Sequence, residues 1–335
     1  MLRPGRALKI LAVLLMVVAA VAVWLWATLW RPRAPEAVEL VVTEGSSGRE
    51  VLEGLQEAGL LPSTIAGHLY LRTIGRGRSF RFGHYYFAAG DRPVDALERL
   101  LDGRVEMATV TIIEGSDVAT VADQMAAAGF GREDEWLAVA RRVDWIGDLA
   151  PEATTLEGFF FPDTYSFAVG IGATTAGRHL IRRFRMVWGD EWALRDEPTW
   201  GSPFEVVVLA SLVEAETSLA SERERVAGVY LNRLRRGMLL QCDPTVVYAL
   251  KRRGEWVGRL LRVHLGVDDP FNTYRYPGLP PGPINSPGRA AIRAALHPES
   301  HDFLYFVAAP GGGHTFSRTL AEHNRAVAMW QRSRR

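Results

Sequence analysis

The sequence predicts an α+β protein held to a membrane by one N-terminal helix, and three observations carry that prediction. Residues Ile10 to Trp30 form an uncharged run long enough to cross a bilayer once. A strand, turn and helix pattern that starts at Val38 is written a second time at Val110. The stretch Ser202 to Thr217 reads as a helix that is apolar on almost every side until two acids close it.

Composition sets the limits. A chain of 335 residues with 48% hydrophobic content can build two or three domains, each with a core. The formal net charge is +1, so nothing global points to nucleic acid. The single cysteine, Cys242, excludes an intrachain disulfide and any multi-cysteine metal site. His297 and His301 are spaced as ligands could be. Pro298 lies between them and no carboxylate or cysteine cluster completes a site, so neither metal nor cofactor is expected.

Taken in order, Arg3, Arg6 and Lys9 precede the apolar run, and Trp24, Trp26 and Trp30 crowd its far end like an interfacial belt. Ala20 and Ala22 could mark a cleavage site, but the run continues past them into the tryptophans, which favours a retained anchor. The expectation is a cytoplasmic segment 1–9, a span 10–30, a proline-bearing linker 31–37 and an exported remainder.

Val38 to Thr43 reads as a strand, followed by Glu44-Gly45-Ser46 and a helix closing at Ala58-Gly59. Val110 to Ile113, Glu114-Gly115-Ser116 and a helix closing at Ala128-Gly129 repeat the arrangement with the same spacing from Glu to Ala. Each unit is followed by an aromatic segment, 82–87 in the first and 161–167 in the second. The loop Leu156 to Tyr165, which holds Glu157, Asp163 and several rings, has the mixture expected of a sugar-lined groove.

An arginine-rich helical stretch with Trp188, Trp192 and Trp200 leads into the central helix, which Ser202, Pro203 and Glu205 open as a capping box. Glu214 and Glu216, two positions apart, project about 200° from each other, so at most one reaches a given cleft. Acids at a helix C-terminus oppose the macrodipole, and one of these sits beside an apolar face. A half-buried carboxylate has its pKa raised by desolvation, which is what a general acid needs near neutral pH.

Ser221 and Glu224 are expected to cap the next helix, which Gly237 closes. Gln241-Cys242-Asp243-Pro244 joins two elements, with Asp243 as a cap. The segment Pro270 to Gly288 holds six of the 18 prolines and carries Asn272, Thr273, Tyr274 and Tyr276, as a stiff polar groove wall requires. A helix capped by Ser286 follows it. A strand at Phe303 to Ala308, a triple-glycine turn, a strand at His314 to Phe316 and a helix capped by Thr319 with Glu322 finish the chain.

These segments together resemble the endolytic murein transglycosylases of the YceG-like type. The resemblance rests on Leu156-Glu157-Gly158 with Phe161-Pro162-Asp163-Thr164-Tyr165, on Ala210-Ser211-Leu212-Val213-Glu214-Ala215-Glu216-Thr217, and on Asn232-Arg233-Leu234 with Gln241-Cys242-Asp243-Pro244-Thr245-Val246. Asn272-Thr273-Tyr274, Gly278 to Ile284, His314-Thr315-Phe316 and His323-Asn324 extend it over nearly everything after the anchor. It implies a LysM-like module at 38–107, a catalytic domain at 108–335 and an inner-membrane enzyme whose domain is periplasmic. It also implies cleavage of the N-acetylmuramic acid to N-acetylglucosamine bond of nascent glycan strands with a 1,6-anhydro end, beside peptidoglycan synthases. By motif position the catalytic acid is Glu214, with Glu157, Asp163, Tyr165, Ser211, Glu216, Gln241, Asp243, Asn272 and Tyr274 as substrate-binding residues. Two alternatives stay open: a non-catalytic glycan-binding scaffold for synthases, and a hydrolytic muramidase using Glu157 or Asp163 as its second acid.

Overall fold

In the computed structural model the described residues are 4–32, 38–75, 78–87, 90–104, 107–169, 171–195 and 200–333. Residues 1–3, and 33–37 of the expected linker, lie outside them, as do the side chains of His84 and Tyr86 in the first aromatic segment. The chain is mixed α and β and divides into two compact units, Met1–Ala108 with Ser166–Ile171, and Thr109–Tyr165 with Gly172–Arg335.

The first unit begins with α1 (Pro4–Leu29), whose stretch Lys9–Leu29 is long and apolar enough to cross a membrane. Ile10, Leu14 and Val18 are exposed, whereas Leu29 in the last turn is 1% exposed and packs with Leu52, Leu55, Tyr70 and Leu97. Behind it β1 (Val38–Val42), α2 (Gly48–Glu57), α3 (Thr64–Thr73) and β2 (Gly83–Phe87) form a βααβ unit, with α4 (Pro93–Asp102) completing the core. β1 and β2 are antiparallel, with Val38 opposite Phe87 and Leu40 opposite Tyr85. The first turn of α2 is closed locally, Ser47 and Glu50 forming a reciprocal capping box.

The order is then repeated, largely within the second unit. β3 (Met107–Thr111), α5 (Val118–Ala127), α6 (Glu133–Val139) and β4 (Thr164–Ala168) follow, and β3 pairs with β4. Gly45 and Gly115 occupy the same place in the two strand-to-helix turns and both are left-handed, at φ 88° and 80°. Only glycine adopts that conformation without a Cβ penalty. The expected duplication of strand, turn and helix is therefore present in backbone as well as in sequence.

α7 (Ala173–Ala193) stacks Trp188 on Trp192, and Trp200 donates to the Ala295 carbonyl. α8 (Pro203–Glu216) starts with the predicted Ser202 and Glu205 box and proline in its first turn. Val206 through Val213 are all buried, because α9 (Arg223–Arg235), α10 (Asp243–Arg252) and α11 (Arg289–Leu296) pack around it. Each fully buried valine or leucine contributes about 1.5–3 kcal/mol, so α8 is fixed along its length. A hairpin of β5 (Tyr305–Ala308) and β6 (His314–Ser317) and the helix α12 (Leu320–Ser333) close the unit, with Thr319 and Glu322 capping α12 as expected.

Three expected caps are corrected. Ser221 lies in a 3-10 turn, Ala220–Glu222, and α9 starts after it with no side-chain cap. Asp243 is the first residue of α10 rather than its cap, and its carboxylate accepts the Tyr274 hydroxyl instead. Ser286 is buried two residues before Gly288, which holds the N-cap position of α11.

Candidate active site

The C-terminal end of α8 turns its two acids to different sides, with the Glu214 side chain only 7% exposed. Glu214 Oε2 accepts the Gly288 backbone N–H at 2.9 Å, and Oε1 meets Arg223 Nη2 at 3.3 Å. Glu216 Oε1 accepts the Tyr230 hydroxyl at 2.8 Å, next to buried Cys242. The two carboxylates share none of these partners, as their angular separation on the helix requires.

Glu114 belongs to the same cluster. It sits 3.9 Å from Arg223 Nη2, and its carboxylate packs against Gly288 so closely that a methyl there would collide with it. Burial raises the pKa of Glu214; the Gly288 N–H and Arg223 pull it back, and the Glu114 charge pushes it up again. The balance leaves Glu214 above the ordinary carboxylate value. Burial also raises Glu216, against the opposing hydrogen bonds from Tyr230 and Cys242.

Two cavities flank the end of the helix. One of about 340 Å³ is lined by Gly115, Asp117, Ala215, Asp243, Lys251 and Asn285, and a Cβ at Gly115 would lie 4.0 Å from Glu214 Cγ. The other, about 240 Å³, is lined by Glu216, Tyr230, Gln241, Asp243 and Tyr274. Asp243 lines both, so the two cavities are neighbours along the end of α8, with Ala215 on the first and Glu216 on the second. Asn285, on the wall of the first cavity, and Arg223, beside Glu214, each bury one polar atom, Oδ1 and Nε, without a hydrogen-bond partner among the described residues.

Of the residues expected to bind substrate, Glu216, Gln241, Asp243 and Tyr274 come together at this cleft. Glu157 does not share a hydrogen bond with Glu214. Both its oxygens accept the Val118 N–H, at 3.0 and 3.1 Å, and the Tyr248 hydroxyl donates to it at 3.0 Å. Burial pushes its pKa up to about 8. Asp163 pairs with Arg183 at 2.7 Å, and the Tyr165 hydroxyl donates to the Phe161 carbonyl inside the core. Ser211 is fully buried, bonded to the Val208 carbonyl and the Ile284 N–H. Asn272 is buried and donates to the Leu265 and Val267 carbonyls.

The loop 156–165 is accordingly corrected from sugar-lined groove to core, since Leu156, Phe159, Phe160 and Phe161 are all buried. Asp163, Tyr165, Ser211 and Asn272 hold loops in place. Their polar groups are consumed by local partners, and no oxygen or nitrogen of Ser211 or Asn272 reaches solvent-facing cavity walls in the cleft. Glu114, Arg223 and Gly288 were not singled out as site residues. The Glu114-Gly115-Ser116 repeat was the one visible signal, and it points equally to Glu44.

Comparison with known proteins agrees with this architecture. The YceG-like family matches residues 40–329. The endolytic murein transglycosylase of Bacillus subtilis is 30% identical over 307 residues, covering 86% of this chain and 83% of that protein. That of Streptococcus pneumoniae is 27% identical over 323 residues, covering 87% of this chain but 58% of its own length. The crystal structure of a YceG-like protein from Listeria monocytogenes superposes with a TM-score of 0.56 at 28% identity, covering 87% of this chain and 99% of that one. With the match spanning both repeats, α8 and the cleft at its end, the chain belongs to the YceG-like family.

Proposed function

We propose that this protein is an endolytic peptidoglycan lytic transglycosylase, with Glu214 as its single catalytic acid. The observation that carries the reading is the largely buried Glu214 carboxylate, raised in pKa at the end of an apolar helix and next in sequence to Ala215, which lines a cavity there. Curated relatives bear that activity in their names.

The chemistry needs only one such group. Protonated Glu214 gives its proton to the bridging glycosidic oxygen as the bond from the anomeric carbon breaks. The 6-hydroxyl of the same sugar then attacks the anomeric carbon, and the Glu214 carboxylate takes up the hydroxyl proton, closing the 1,6-anhydro ring. Intramolecular attack supplies high effective molarity without a positioned water. Arg223 and the Gly288 N–H orient the carboxylate, and Glu114 opposes its early ionisation.

Around this centre the proposal extends to an inner-membrane protein with a cytoplasmic N-terminus, a LysM-like module at 38–107 and a periplasmic catalytic domain at 108–335. Its substrate is the nascent glycan strand, and its neighbours are peptidoglycan synthases whose products it shortens. Two βααβ repeats and one helix of membrane-spanning length support that arrangement. Mass analysis of strands digested by the full-length protein in detergent tests the reading. Anhydro ends are expected; ends heavier by one water would make the enzyme a hydrolase, and uncleaved strands would make it a scaffold.

A further inference from the structure

Beside the cleft lies a larger cavity that the proposed reaction does not use. Its volume is about 690 Å³, within the range of sites that enclose a ligand of several hundred daltons. Asp117, Tyr248 and Lys251 line both this cavity and the one next to Ala215, so the two are adjacent. Its floor is formed by the end of α5 and the Glu157 carboxyl that caps it, and its mouth by Arg141, Arg252 and Trp256.

The wall carries two guanidiniums that no ion pair occupies. Lys251 is matched by Asp117 at 2.8 Å. The exposed Arg141 guanidinium has no carboxylate partner among the described residues, and Arg252 lies over the Phe271 ring, 4.7 Å from its centroid, also without one. The other acids of the wall are Asp123 and Glu157, the latter occupied by the Val118 N–H and the Tyr248 hydroxyl. Two guanidiniums without an ion-pair partner thus stand beside an indole and apolar walls from Leu137 and Ala140.

We propose that this chamber binds the short acidic peptide borne by a glycan strand, with peptide carboxylates on Arg141 and Arg252 and an apolar side chain against Trp256. The inference rests on the reading of the cleft as a peptidoglycan site, and it adds a peptide requirement to it. An additional neutral sugar would leave both guanidiniums without a counter-charge, whereas planar guanidinium groups match carboxylates in bidentate fashion. The shared wall of Asp117, Tyr248 and Lys251 places the chamber within reach of a branch on a strand lying at the end of α8.

The test compares strands of equal length that carry their peptides with strands stripped of them by an amidase. In the full-length protein, Arg141→Glu should lower the ratio of kcat/KM for peptide-bearing over stripped strands about 10-fold, and Arg252→Gln should move it the same way. Arg141→Lys, which keeps the charge but not the fork, should recover part of the ratio. A ratio unchanged by Arg141→Glu overturns the proposal. If the wild type forms no anhydro ends from either strand, the catalytic reading fails separately. Binding to the Glu214→Gln protein then decides the chamber: tighter binding of peptide-bearing strands, lost on adding Arg141→Glu, supports it, and equal binding of both strands overturns it.

Discussion

The two βααβ repeats share a turn and use it differently. In the first, Glu44 and Gly45 are exposed, nothing lies within 4 Å of where a Gly45 side chain would be, and α2 is closed by its own Ser47 and Glu50. In the second, Glu114 packs on Gly288 beside Arg223, Gly115 approaches Glu214, and α5 is capped by Asp117 together with Glu157, 39 residues away from Val118. One backbone motif is therefore self-contained in one copy and part of a proposed active site in the other. The difference lies in what the rest of the chain puts against the turn.

The sharpest way to break that comparison is at the seat itself. Gly288→Ala puts a methyl where the Glu114 carboxylate packs and drives that side chain from its place beside Glu214, and a misplacement of about 1 Å at such a group costs on the order of 100-fold in turnover. Measured kcat with the fold checked by circular dichroism would reveal this loss; wild-type turnover would mean that the seat does not position the acid.

A smaller effect separates the two turn acids directly. Glu114 raises the pKa of Glu214, so Glu114→Gln should move the alkaline limb of the kcat/KM profile to lower pH and reduce activity several-fold at neutrality. Glu44→Gln should leave the profile where it is. Identical profiles for both variants would remove Glu114 from the site.

The gentlest effect is on stability. Glu157 titrates at about 8 in the folded protein against an ordinary value of 4.5. The unfolded chain therefore releases its proton first, and the stabilisation present below pH 4.5 declines as pH rises toward about 8. Thermal melts across that window should show a falling midpoint, and Glu157→Gln should flatten the slope. No such cap exists on α2, so Glu50→Gln should not reproduce the effect.

What the sequence made legible follows the same division between local and distant contacts. Both repeats, the capped start and buried length of α8, the terminal hairpin and the divergence of Glu214 from Glu216 depend on periodicity or on residues within a few positions, and all are present. The caps assigned to Ser221, Asp243 and Ser286 failed because a 3-10 turn and long-range partners such as Tyr274 outweighed the local pattern. The rings of 156–165 were misjudged because an aromatic run looks the same whether it lines a groove or fills a core. The grouping of Glu114, Glu214, Arg223 and Gly288 joins α8, α9 and two distant turns, and no window of sequence contains it.

The central claim is that one acid, Glu214, does the proton transfers while Glu216 only braces its neighbours through Tyr230. Anhydro-product formation by Glu214→Gln and Glu216→Gln, measured side by side on the same strands, tests it most directly. The account predicts at least about 100-fold loss for Glu214→Gln and a smaller loss for Glu216→Gln. A larger loss at Glu216, or full activity in Glu214→Gln, would contradict it.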